Sequence, residues 1–243
     1  FDRKVLDLCT ALATEREYWE EVKTEIVRIA LNEYSSIWSN GTKKEQNEDM
    51  KSAIKDYWTF GPYSDTQSPP KWIKIPSTAW SAAFISWVVN KAGGEKRFSK
   101  VSDEISYRTY KANNEKYIFR PTAHCFYATI GKINREVGDS INPFWTFSSE
   151  EVKPSVGDIV VDSRVDYKAL DPELGIYRTH GDIVVEISGN KMTVVGGNIS
   201  NSVTKRSFTL DANGFIKKKD FSLIVRIQSS IFEWSECDNT VQA

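Results

Sequence analysis

The sequence predicts an α+β fold in which helices come first along the chain and an antiparallel sheet follows. Apolar residues recur at helical spacing up to about residue 138. From residue 155 the pattern changes to short β-rich runs bounded by turn signals. The chain shows no internal repeat, so the order of helices and then strands decides the fold class.

The predicted helices differ in how much of their surface is apolar. In the first, Val22, Ile26 and Ala30 share one face, whereas Glu21 and Arg28 lie opposite them and would be solvated. The third, within STAWSAAFISWVVNKAGG, is apolar on all sides, which is typical of a central buried helix. Helices are predicted over residues 1–38, 50–60, 77–94 and 122–138.

Two turn signals lie within the predicted sheet. Ser188-Gly189-Asn190 and the Asp-Ala-Asn-Gly stretch at 211–214 both look like hairpin turns. We therefore expect the strands on either side of each turn to pair. Strands are predicted over residues 157–163, 180–187, 191–197, 206–210 and 221–227.

Charge and composition exclude several classes of function. The formal net charge of −1 gives no basic footprint for nucleic acid. No apolar run reaches the roughly 18 residues of a membrane span. With two histidines and no paired-cysteine spacing, we expect no metal and no other cofactor. In an alternative reading, His124, His180 and Asp182 together bind one metal ion.

Ser81 raises a question because it lies in the first turn of the most apolar helix. It is either an ordinary serine that satisfies a backbone group or a nucleophile beside the free N–H groups of a helix start. The helix dipole contributes roughly 0.3–1 kcal/mol, which is too little to ionise a hydroxyl. A catalytic Ser81 therefore requires a general base.

His180 is a candidate for that base, since it opens the predicted strand HGDIVVEI. Strand alternation places His180 and Asp182 on one face and Ile183 on the other. Either Asp182 or Asn198, which follows VVGG on the next strand, is a candidate to orient the ring. Taken singly, His180 also fits a surface histidine and Asn198 a turn residue.

Three stretches together resemble the papain-like amidases and endopeptidases of the NlpC and CHAP type. AWSAAFISWVVNKAG resembles their nucleophile helix, KPSVGDIVV the strand that follows, and HGDIVVEI with MTVVGGNISNSV their histidine strand and the next one. The likeness covers residues 76–94 and 154–204. It implies a papain-like fold, with a buried nucleophile helix packed on a small antiparallel sheet or barrel and extra N-terminal helices.

The resemblance also implies functional residues. It places the nucleophile on Ser81, the base on His180 and the orienting residue on Asn198, and a branch with WSAAF helices adds Asp182 and His124. His124 and Trp80 are then expected to contact substrate, although Trp80 also fits a core position. The implied domains are a helical extension over 1–75, a catalytic domain over 76–230 and a tail over 231–243.

The family implies an activity and a location as well. Its members cleave peptide or amide bonds in bacterial peptidoglycan, and the WSAAF branch resembles secreted antibacterial effectors. We therefore expect a secreted protein that acts in the periplasm or at the cell wall on peptidoglycan peptide, with an inhibitory immunity protein as a further partner.

The chain departs from the family at one position, where serine replaces the usual cysteine. Ser81 is then a natural nucleophile, a Cys→Ser replacement that disables the enzyme, or the mark of a pseudoenzyme that still binds wall fragments. Two other functions also fit the same fold: a non-catalytic binding module, and a serine acyl esterase or transferase.

Overall fold

Helices precede an antiparallel sheet along the chain, which confirms the predicted α+β class. The computed structural model describes residues 3–60, 74, 78–94, 124–137, 144–162, 168 and 179–227. The helices are α1 (Arg3–Asn32), α2 (Glu48–Phe60), α3 (Ser81–Val89) and α4 (His124–Val137). The strands are β1 (Phe144–Ser148), β2 (Ile159–Asp162), β3 (Gly181–Ser188), β4 (Lys191–Ile199), β5 (Ser202–Thr209) and β6 (Phe221–Ile227).

The described strands form one six-stranded sheet in the order β1-β6-β2-β3-β4-β5, and every neighbouring pair is antiparallel. The hairpin predicted at 188–190 is confirmed, since Ser188 pairs with Lys191. Strand β1 was not predicted from the sequence. It pairs with β6 at the edge of the sheet.

The hairpin predicted at 211–214 is wrong, although a turn does form there. The Asp211 carboxylate accepts hydrogen bonds from the backbone N–H groups of Asn213 and Phe215, which makes the turn local. The next strand, β6, leaves β5 and inserts between β1 and β2. Its residues Phe221–Val225 are all buried, and a strand that is apolar on both faces belongs inside a sheet rather than at its edge.

The sheet has two different faces, and only one of them packs against the helices. Ile183, Val185 and Val195 point into the large core that also holds the apolar side chains of α1, α2 and α3. Val184 and Val194 point the opposite way, into a second, smaller core. This alternation follows the prediction for β3 up to the irregularity between Val184 and Glu186.

Helix α3 is buried along its length, as its composition predicts. Eight of its nine residues are buried; Trp87 is partly exposed. It begins at Ser81 rather than at residue 77, and a π-helical segment, Asn90–Gly94, continues it. Gly93 has a φ of 98°, a left-handed conformation that suits glycine and ends the helical segment there.

The N-terminal helices belong to the same core as the sheet. Trp38 Nε1 donates a hydrogen bond of 2.8 Å to the Tyr57 hydroxyl, and that hydroxyl donates to the buried Glu33 carboxyl. Burial raises the pKa of Glu33 above its ordinary value, against the lowering effect of the Tyr57 hydrogen bond. A chain of polar contacts therefore runs through the interior between α1 and α2.

Several expectations concern residues outside those that the structure describes. They are the two ends of the helix predicted over 122–138, the domain boundaries at 75/76 and 230/231, and the tail 231–243. Within the described ranges, no helix has the length and apolarity needed to cross a bilayer.

Candidate active site

Ser81 is the first residue of α3, with only 9 % of its surface exposed. The first hydrogen bond of the helix runs from the Phe84 N–H to the Trp80 carbonyl, at 2.9 Å. The N–H groups of Ala82 and Ala83 therefore precede the helical hydrogen-bond ladder. Hydroxyl and backbone donors lie together at the positive end of a buried helix.

The second half of the site is a histidine–carboxylate pair at the start of β3. His180 Nε2 lies 2.9 Å from Asp182 Oδ1. The Asp182 side chain is completely buried, whereas 18 % of the His180 side chain is exposed. An ionised carboxylate only accepts hydrogen bonds, so we assign the proton to Nε2 and the lone pair of the neutral ring to Nδ1.

Asp182 has a second charged partner, Arg206, which sequence reasoning missed. Arg206 Nη2 donates to Asp182 Oδ2 at 2.5 Å. Burial by itself would raise the pKa of the Asp182 carboxyl, but the hydrogen bond from His180, together with the charge and hydrogen bond of Arg206, outweighs it and lowers that pKa. The carboxylate is therefore held ionised inside the protein.

The sequence carried only a faint signal for Arg206. It lies on β5 in the alternating stretch SVTKRSFT, where a charged side chain on a strand is most simply a solvated residue. Its contact with Asp182 arises because β4 lies between β3 and β5 and carries a glycine at the crossing point.

Two consecutive glycines of β4 connect the two halves of the site. A methyl group on Gly196 would overlap Asp182 Oδ1, so the carboxylate occupies the space that a side chain would fill. A methyl group on Gly197 would lie 2.6 Å from Phe84 Cβ and 2.9 Å from the Trp80 ring. The start of α3 therefore lies at the same end of the sheet as the Asp182 carboxylate.

The two halves approach that end of the sheet from opposite faces. Helix α3 packs on the face of the sheet that bears Ile183 and Val195. Because neighbouring residues of a strand point to opposite faces, the Asp182 side chain lies on the other face. His180 immediately precedes β3, so its ring lies where the sheet ends.

Asn198 is the other residue predicted to orient His180, and this role stays a prediction. It is half-buried at the end of β4, and its φ of 60° puts it in the left-handed region. The side chain that the structure brings to the His180 ring is Asp182. Of the two orienting residues predicted, Asp182 has the geometry for the role.

Trp80 is a core residue, so its predicted contact with substrate is not supported. None of its surface is exposed, and its ring stacks on Trp38 at a centroid distance of 5.1 Å and an angle of 19°. Its Nε1 donates a hydrogen bond of 2.9 Å to Glu45 Oε2. An indole with a satisfied N–H and aromatic packing is a stable interior group.

The remaining predicted residue, His124, is the first residue of α4. The structure describes its backbone but not its side chain. Among the side chains that are described, no three from His, Cys, Asp and Glu lie close enough together to hold a metal ion.

Comparison with known proteins gives one match. The model of a family described as "Uncharacterized protein conserved in bacteria (DUF2272)" matches residues 27–235. No curated protein and no solved structure matches the chain. The matched segment begins within α1 and includes both halves of the candidate site.

Proposed function

We propose that this chain, which belongs to the bacterial DUF2272 family, is a hydrolase that cleaves peptide or amide bonds of the cell wall with Ser81 as its nucleophile. The observation that carries the proposal is the His180–Asp182 pair, whose carboxylate is completely buried at the end of the sheet where α3 begins. A buried carboxylate that orients a histidine is the arrangement that activates a serine, and we propose that Ser81 Oγ lies within reach of this histidine.

In the proposed reaction, Ser81 Oγ attacks the carbonyl carbon while His180 Nδ1 takes the hydroxyl proton. Asp182 keeps the proton on Nε2 and stabilises the imidazolium that forms. His180 then gives its proton to the leaving amine, the C–N bond breaks, and an acyl-serine ester remains. Water, deprotonated by the same histidine, hydrolyses the ester and restores the Ser81 hydroxyl.

The start of α3 is suited to the charge that develops during the attack. The backbone N–H of Ser81 and those of the next residues lie at the positive end of the helix. Removing a single donor from such an oxyanion site costs about 100–1000-fold in rate in enzymes of this chemistry. These donors stabilise the tetrahedral intermediate more than the planar substrate.

The substrate class rests on the resemblance of the WSAAF helix and the histidine strand to papain-like wall hydrolases. On that basis we propose a secreted protein acting at the cell wall or in the periplasm, on peptidoglycan peptides, with an immunity protein as a binding partner. The observed α+β fold class is compatible with this proposal. That the fold is papain-like is itself part of the proposal.

Digestion of purified peptidoglycan, with mass spectrometry of the released fragments, tests the activity. Wild type is expected to release muropeptides with a new amine and a new carboxylate, and Ser81→Ala and His180→Ala are expected to release none. Ser207→Ala, an exposed change on β5, is a control that should behave as wild type.

The same digestion separates the alternatives. Product from Ser81→Cys alone would show that the serine stands where a cysteine worked. Retention of the protein on wall material without product would identify a binding module, and release of ester-linked acyl groups alone would identify an esterase. Release of no product by wild type or Ser81→Cys, without retention on the wall, would overturn the wall-hydrolase proposal.

A further inference from the structure

We infer that Arg206 is a positioning residue of the active site, which fixes the Asp182 carboxylate so that His180 keeps its proton on Nε2. The inference rests on the proposed function in one respect, namely that His180 serves as the base. The geometry itself is independent of the substrate.

The first step concerns how Asp182 is held. Its Oδ1 faces the His180 ring and its Oδ2 faces Arg206, at 2.9 Å and 2.5 Å respectively. Because the side chain is completely buried, water is not available to replace either partner. With one oxygen bonded to each of two groups, the carboxylate has a single orientation, and the direction of Oδ1 determines the orientation of the ring.

The second step concerns how Arg206 itself is held. Its guanidinium carbon lies 5.3 Å from the centre of the Phe208 ring, two residues further along β5 and on the same face. Arg206 pairs with Val194 of β4, so its side chain reaches Asp182 diagonally, across Gly196. The aromatic ring and the missing side chain of Gly196 together give the guanidinium a defined path.

The third step is that stability is a poor explanation for this ion pair. Within the described part of the chain, Arg206 Nε is buried and has no hydrogen-bond partner. A buried donor without a partner destabilises the fold. The Asp182 side chain is completely buried, whereas 38 % of the Arg206 side chain is exposed, so the attraction between the two must offset the cost of taking the carboxylate out of water. We therefore attribute the Arg206–Asp182 pair to a role in the site and not to a contribution to the stability of the fold.

Arg206 is distinguished from a substrate-binding arginine by a double-mutant cycle. Arg206→Met is expected to lower kcat by about 10–100-fold, the range found when groups that orient functional histidines are removed, with KM within about twofold. In the Asp182→Asn background the same change is expected to have almost no further effect, because Arg206 acts through Asp182. Equal losses in both backgrounds would overturn the inference.

A second measurement is independent of any activity. The chain has two histidines, so 15N-histidine labelling gives a simple spectrum in which His124→Gln assigns His180. Wild type is expected to show the neutral His180 ring protonated at Nε2 alone, and Arg206→Met to show both tautomers. Lys205→Met is the matched control, because Lys205 is the neighbouring residue and lies over Tyr34 instead; it should leave the spectrum unchanged.

Arg206→Lys keeps the inference testable if the methionine variant does not fold. It retains a cation beside Asp182 and is expected to preserve the Nε2–H signal and at least part of the lost kcat. An unchanged histidine spectrum in folded Arg206→Met would overturn the inference and leave the hydrolase proposal intact. Absence of hydrolysis in wild type would instead overturn the hydrolase proposal, while the spectrum would still test the positioning of His180.

Discussion

At the scale of single residues, the chemistry of the site depends on one buried carboxylate that accepts hydrogen bonds from two partners. Asp182 bonds to His180 through one oxygen and to Arg206 through the other. Burial by itself would raise the pKa of the carboxyl, and its partners lower it below the ordinary value. The ionised state of Asp182 therefore depends on two contacts, one with His180 and one with Arg206.

Asp182→Asn tests the importance of this charge with almost no change in side-chain volume. The amide cannot stabilise the imidazolium, and it can turn its NH₂ group towards the ring and so favour the wrong tautomer. We expect kcat for peptide hydrolysis to fall by about 100–10,000-fold, which is the usual contribution of a positioned base. Steady-state kinetics on a released muropeptide measures it. A loss below threefold would contradict the assigned role.

The pH dependence of stability tests the same residue with a definite sign. The pKa of Asp182 is lower in the folded chain than its ordinary value of 3.8, so the unfolded chain takes up the proton first as the pH falls. The stabilisation is complete above pH 3.8 and is lost as the pH falls from there through the folded pKa. Urea unfolding of wild type and Asp182→Asn should give curves that converge below pH 3.8. A constant difference down to pH 2 would contradict the lowered pKa.

At the scale of elements, strand β4 positions both halves of the site because it has no side chains at two consecutive residues. Gly196 gives space to the Asp182 carboxylate, and Gly197 lets Phe84 and Trp80 of the α3 region lie against the strand. The two glycines make room on opposite faces of the sheet. Gly196 and Gly197 therefore determine both how the Asp182 carboxylate packs against β4 and how α3 packs against the same strand.

Replacing each of these glycines by alanine should produce two different defects. Gly196→Ala displaces the carboxylate, so we expect loss of the His180 Nε2–H signal and of activity. Gly197→Ala pushes against Phe84, so we expect mainly a loss of stability, of about 1–3 kcal/mol as for other overpacked cores. Thermal unfolding and 15N-histidine spectra distinguish the two. The same spectrum in Gly196→Ala as in wild type would contradict this division of roles.

The sequence predicted the elements of the site better than their connections. The apolar composition of α3 and the alternation of β3 are local patterns, and they correctly predicted a buried helix and a strand that starts within one residue of His180. The Arg206–Asp182 contact depends on which strands are neighbours, which no local pattern records. The same limitation explains the wrong hairpin at 211–214, because the position of β6 between β1 and β2 is a long-range property. Trp80 shows that the residue next to the proposed nucleophile is fully buried and is not exposed by that position.

At the scale of the whole molecule, the helices before the site and the sheet after it share one interior. Trp38 stacks on Trp80 at the start of α3, and Tyr57 lies within 5.4 Å of the Phe84 ring. The family match, over residues 27–235, also includes all of α2 and the C-terminal end of α1. The N-terminal helices therefore form part of the support on which α3 rests.

A chain that begins at residue 76 should not fold cooperatively. Without α1 and α2, the apolar surfaces of Trp80 and Phe84 would lose their partners, and removing a single large core side chain already costs about 3–5 kcal/mol. Circular dichroism and urea unfolding of residues 76–243, with the full chain as the control, measure this. A sharp two-state transition of the fragment would show that the helices are dispensable.

Glu33→Gln tests the buried polar contacts of this interior. The pKa of Glu33 is raised from its ordinary value of 4.5 by burial, so the folded chain favours the protonated carboxyl. The stabilisation that this provides is present below pH 4.5 and is lost as the pH rises through the folded pKa. Glutamine can still accept from the Tyr57 hydroxyl, so the variant should gain stability relative to wild type above pH 4.5. An unchanged difference from pH 4 to pH 8 would contradict the raised pKa.

The most direct test of the central claim, that His180 and Asp182 activate Ser81, is covalent labelling with a fluorophosphonate. This probe reacts with an activated serine hydroxyl without any need to know the substrate. Peptide mapping by mass spectrometry should find the adduct on Ser81 in wild type, and labelling should be lost in His180→Ala and strongly slowed in Asp182→Asn. Absence of an adduct on Ser81, or labelling of Ser81 at the same rate in His180→Ala, would contradict the account.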